Sequence, residues 1–95
     1  MSVNQKLQAV EDYLVREFRH AKIEIKSNAV EQTHRFQILH QGKPHCTIVV
    51  EAFLLGCETG QIAATLEDFM LAEHLREMGM TPVVVTPEGL KLEGD

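Results

Sequence analysis

Tryptophan is absent from this chain of 95 residues, tyrosine occurs once, and aromatic residues make up only 5%. The bulky core fillers are therefore Phe18, Phe36, Phe53 and Phe69. Two cysteines are too few for a disulfide framework, so a reducing cytoplasm is the expected compartment. No run approaches the roughly 18 apolar residues of a membrane span. The opening M-S-V-N-Q-K-L-Q has no apolar segment of the kind a secretory signal needs. Basic residues are scarce in the second half. Residues 46–95 hold two Lys/Arg against nine Asp/Glu, while residues 1–45 hold seven against five. A formal net charge of −5 argues against strong generic nucleic-acid binding, which needs phosphate-neutralising cations. Neither internal repeats nor low-complexity stretches occur. What is present, 44% hydrophobic residues in a short chain, suits a single domain over residues 1–95 with a charged tail at 88–95.

Ser2 and Gln5 have the spacing of a capping box. Val3, Leu7, Val10, Leu14 and Phe18 then mark one face of a helix over about 3–19. Lys22-Ile23-Glu24-Ile25-Lys26 alternates strictly, as a strand with one wet face does. A second helix is expected over about 60–78, with Thr59 as its N-cap and Gly79 as its C-terminal stop. Val83–Thr86 reads as a short buried strand ended by Pro87, and Leu90–Leu92 as one more possible strand. The expected fold is a two-layer α+β domain of order αβββαβ. It has a mixed, mostly antiparallel four-stranded sheet and two helices, with the fourth strand parallel to the third.

Between these elements, Thr33–Leu55 reads as a β-hairpin around Gln41-Gly42-Lys43-Pro44. Direct pairing of His40 with His45 would bring their Cβ atoms about 5 Å apart, a two-histidine metal geometry. In that register each face mixes polar and apolar residues. Slipping the pairing by one residue puts Phe36 and Ile38 with Cys46, Ile48, Val50 and Ala52 on a clean apolar face. Burial of one face specifies register strongly. The slipped register is therefore the expected one, with a loop of three or five residues. It separates His40 from His45, and no metal or cofactor is expected. It also places Arg35, Leu39, His45, Thr47, Val49, Glu51 and Phe53 on the outer face, as a candidate interaction surface.

Other chemistry finds less support. Cys57, just before the second helix, lacks a neighbouring base to activate it. Gly56 and Gly60 are one residue too close for a phosphate loop, and Gln61-Ile62 stands where Lys-Ser/Thr is required. The run Glu51, Glu58, Glu67, Asp68, Glu73 and Glu77 has no calcium-loop spacing and reads as a solvated face. No catalytic residue is expected. The second helix carries two apolar stripes. Ile62, Leu66, Phe69 and Met70 form one; Leu71, Leu75 and Met78 form the other, and these three are candidate dimer contacts unless a kink near Ala72 turns them inward.

Element order gives two resemblances. The αβββα portion is similar to the double-stranded-RNA-binding domain. That family carries a basic cluster at the start of its second helix, whereas Thr59–Asp68 here contains neither Lys nor Arg. The full order resembles the restriction-endonuclease-like core, which needs an acidic residue near strand two and E-x-K on strand three. This chain has Glu51-Ala52-Phe53, and no Asp or Glu lies between Gln32 and Val50. The resemblance therefore implies an inactive copy. The resulting expectation is a small, non-catalytic protein-interaction module that pairs with itself or with another protein. The alternative is a weak nucleic-acid-binding domain using Lys22, Lys26, Arg35 and Lys43.

Overall fold

The computed structural model describes residues 3–92. Ser2, the expected cap, and the last three residues of the expected tail lie outside them. Among the described residues the order is α1 (Val3–Glu17), β1 (Lys22–Asn28), β2 (Thr33–His40), β3 (Lys43–Val50), α2 (Glu51–Leu55), a 3₁₀ turn (Thr59–Gln61), α3 (Ile62–Asp68), α4 (Leu71–Met78), β4 (Val83–Thr86) and β5 (Gly89–Leu92). The strands form one mixed sheet in the order β1-β2-β3-β4-β5. Only β3 and β4 run parallel, as a crossover connection requires. The fold is thus the expected α+β class. β5 makes a fifth strand, and the region expected to hold one helix holds several shorter ones.

The heptad-like spacing of α1 buries Val10, Leu14 and Phe18 completely, with Val3 and Leu7 packed at the margin. Lys6 is also buried, and its Nζ donates to the Leu54 carbonyl at 2.6 Å, tying α1 to the C-terminal end of α2. The β1–β2 turn is held by Asn28, whose side-chain oxygen accepts the backbone N–H groups of Val30 and Glu31.

The hairpin departs from expectation. His40 pairs with Lys43, so the loop is only Gln41-Gly42, and both residues have positive φ (52° and 76°). That is the backbone of a two-residue hairpin turn matched to strand twist. It sets Phe36 opposite Thr47 and Ile38 opposite His45. The face shared by Phe36 and Ile38 therefore carries His45, Thr47 and Val49, while Cys46 and Ile48 take the other. β3 is flanked on both sides by strands and is apolar on both faces, so alternation constrains its register weakly. Turn geometry decides it.

The strand also ends sooner than expected. Glu51-Ala52-Phe53-Leu54-Leu55 is helical, with Gly56 at its end, and Phe53 and Leu54 pack inward. A short apolar run of this kind suits strand or helix equally by periodicity. The Thr59 hydroxyl makes no capping bond. At Met70, α3 gives way to α4 through a left-handed residue (φ 59°, ψ 40°). The break rotates the next turn, so Leu71 and Leu75 are fully buried and Met78 packs against the core. The expected spare stripe of Leu71, Leu75 and Met78 therefore packs on the core within the chain. Gly79 stops α4 with a positive φ of 60°, in the expected place.

Candidate functional site

The strand registers assign each side chain to a face. On the helix side, Phe36, Ile38, Val49, Val83 and Val85 join Val10, Leu14, Phe18, Leu54, Leu66, Leu71 and Leu75 in one core. On the other side stand Lys22, Glu24 and Lys26 from β1, Arg35, Gln37 and Leu39 from β2, Pro44, Cys46 and Ile48 from β3, Val84 from β4 and Lys91 from β5. Ile48 is only 8% exposed, yet it lies outside the core cluster. Leu39 remains 48% exposed.

Five of the seven residues expected on this surface are elsewhere. His45, Thr47, Val49 and Phe53 are buried on the helix side, and Glu51 lies in a helix. Thr47 donates its hydroxyl hydrogen to the Val83 carbonyl at 2.9 Å, fastening the parallel β3–β4 seam. Glu51 begins α2 and approaches His34. Arg35 and Leu39 are on the outer face as expected. The expected nucleic-acid set divides in the same way. Lys22, Lys26 and Arg35 share the outer face, and Lys43 sits at the turn with helix-side parity.

Sequence reasoning missed Pro44, Cys46, Ile48, Val84 and Met80. The first three follow from the register. Met80 comes from the link between α4 and β4 to the sheet's hairpin end. It lines a groove of about 380 Å³ with Lys22, Glu24, Leu39, Pro44 and Cys46 among others. Arg35 donates to the Cys46 sulfur at 3.4 Å, across the β2–β3 pair. A second groove of about 390 Å³ lies at the far end of the same face, between Lys26, Asn28, Arg35 and Ile48. Among the described residues, Glu24 is the sole acidic side chain on any strand, against Lys22, Lys26, Arg35 and Lys91 on this face. The chain as a whole holds 14 Asp/Glu and 9 Lys/Arg. The outer face is thus cationic on an acidic protein.

The histidines have structural work. His40 and His45 share the helix side after all, and both pack on Phe18, with ring centroids 5.4 and 5.5 Å away. Arg76 covers another side of that ring at 4.9 Å and donates to the Glu17 carbonyl at the end of α1. His45 Nδ1 lies 3.2 Å from the Gly79 carbonyl. Among the described residues no three His, Cys, Asp or Glu side chains converge as metal ligands.

Ser27, His34 and Glu51 form a line. Ser27 Oγ is 2.7 Å from His34 Nδ1, and His34 Nε2 is 3.5 Å from Glu51 Oε1. This has the outline of a nucleophile–base pair. Ser27 has helix-side parity, paired with His34, and also borders the groove of Lys26, Asn28, Arg35 and Ile48. The Ser27–His34 bond fastens β1 to β2, while His34 Nε2, buried near Glu51, makes no hydrogen bond among the described residues. Cys57 contacts the Glu58 carbonyl and the Thr65 hydroxyl, neither of which is a base. No helix among the described residues is long and apolar enough to cross a membrane. No protein-family model, curated protein or solved structure matches the chain.

Proposed function

We propose that this protein is a non-catalytic interaction module that binds an acidic, aliphatic segment of another protein on the outer face of its sheet. The observation that carries this reading is the composition of that face. An aliphatic strip of Leu39, Pro44, Ile48 and Val84 runs between Lys22, Lys26, Arg35 and Lys91, with all helices on the opposite side. Aliphatic area supplies affinity, and the cations select charge and orientation. An extended segment with alternating Glu or Asp and Leu or Val complements both.

Nucleic acid is the rival occupant, favoured by the shared face of Lys22, Lys26 and Arg35. Single-stranded binding by a sheet relies on aromatic rings for the bases to stack on. This face carries none, since Phe36 points to the core.

Fluorescence anisotropy separates the two. The probes are a labelled ten-residue peptide of alternating Glu and Leu, its Lys/Leu counterpart, and oligothymidylate. The reading predicts binding of the Glu/Leu peptide and at least several-fold weakening by the K22E/K91E double substitution. Equal binding of both peptides contradicts it. Salt-dependent preference for the oligonucleotide establishes the rival.

A further inference from the structure

We propose that the outer edge of β1 is a homodimer seam. Two copies pair antiparallel about a two-fold axis at Ile25, joining their sheets into one. This inference concerns the strand's backbone edge, although the side chains that set its register, Glu24 and Lys26, stand on the outer face.

β1 lies at the end of the sheet and pairs only with β2 among the described residues. It is seven residues long, exposed at all but Ile23. An edge of this length is a template for another strand unless the sequence blocks it. The usual blocks are proline, a bulge or repelling charge. β1 contains no proline, and its pairing with β2 runs without interruption from Lys22 to Asn28. Its charges are Lys22, Glu24 and Lys26, all on the outer face.

Those charges choose a register. In an antiparallel pair centred on Ile25, Glu24 of each copy stands directly opposite Lys26 of the other. Lys22 meets Asn28, Ile23 meets Ser27, and Ile25 meets itself on the helix side. All seven residues are paired. Centring the axis on Glu24 would oppose Glu24 with itself and Lys22 with Lys26. Centring it on Lys26 would oppose Lys26 with itself. Centring it on Ile23 matches Lys22 with Glu24 but leaves only three residues of the strand in the ladder. The register that uses the whole strand also sets opposite charges across both symmetric positions, where side chains are near enough to interact.

Neither Glu24 nor Lys26 has an ion-pair partner among the described residues. Lys26 stands opposite Arg35, a like charge, on β2. Ile25 is 37% exposed on the side where its neighbours Phe36 and Ile38 are buried. Pairing covers Ile25 with its own copy and gives Lys26 a carboxylate. By contrast β5, the opposite edge, offers four residues.

The test uses charge reversal on exposed side chains, with light scattering after size exclusion as the readout. The wild-type chain is expected at twice its mass of 10.7 kDa. E24K makes both symmetric contacts Lys–Lys, and K26E makes both Glu–Glu. Each variant alone is expected to dissociate at least roughly tenfold more readily. Mixed together they are complementary at both positions and recover the dimer as a heterodimer. Circular dichroism of each variant establishes that it is folded. A wild-type monomer at the highest attainable concentration overturns the proposal. So does a wild-type dimer that both single variants retain unchanged, because the seam then lies elsewhere. Binding of the Glu/Leu peptide, measured on the wild-type chain, tests the face separately from either result.

Discussion

Tyr13 shows how much one side chain can hold. It is 3% exposed, and its hydroxyl oxygen accepts the Ala72 N–H at 3.2 Å, in the first turn of α4. α4 starts from left-handed Met70 with no side-chain cap, so this bond from α1 serves in its place. Replacing Tyr13 by Phe is expected to cost about 1–2 kcal/mol, read from the shift in urea midpoint, because a buried donor loses its acceptor. Burial raises the phenol's pKa above its ordinary value, against the lowering effect of the Ala72 bond. The folded state therefore keeps the phenol neutral after the unfolded chain has begun to ionise. Stability is intact below about pH 10 and is lost as pH rises through the folded value. Urea midpoints measured on either side of that range are expected to fall for the wild type and to fall less for Y13F. At the parallel seam, T47V removes the buried bond to Val83 and is expected to cost about 1 kcal/mol in the same assay.

Elements differ in how plainly the sequence announces them. α1 was legible because its apolar spacing is regular and its core side is a single stripe. β1 was legible because its charges alternate, and β4 because Pro87 ends an unbroken apolar run. The hairpin was visible as a hairpin but not in register. Its turn accepts a non-glycine residue, Gln41, at positive φ, which composition does not disclose, and β3 is apolar on both faces. The candidate surface inherited that uncertainty. Arg35 and Leu39 belong to the outer face in either pairing parity, whereas His45, Thr47 and Val49 exchanged places with Cys46 and Ile48. The break between α3 and α4 was equally hidden, since Met is an ordinary helix former. Its positive φ costs a non-glycine residue about 1–2 kcal/mol. Met70→Gly is accordingly expected to be neutral to stabilising, by up to about 1 kcal/mol, when thermal or urea unfolding is compared with the wild type. The same change inside α1, at Ala9, is expected to destabilise by about 1 kcal/mol.

At the scale of the whole molecule, the helices among the described residues pack on one side of the sheet. Helices α1 to α4 use the helix-side residues of the strands for the core, and no described helix lies on the other face. That face concentrates cations on a chain whose net charge is −5. An acidic body with a cationic, aliphatic face orients an approaching acidic partner before contact. The face and the β1 edge are adjacent. Pairing two copies at Ile25 would place two such faces side by side and give a two-site platform for a bivalent partner. The most direct test of the open-face account is an amide shift map by solution NMR, recorded as the Glu/Leu peptide is added. The account predicts perturbations gathered on Lys22, Arg35, Leu39, Cys46, Ile48 and Val84. Perturbations gathered instead on α1, α3 and α4, or no perturbation at saturating peptide, would contradict it.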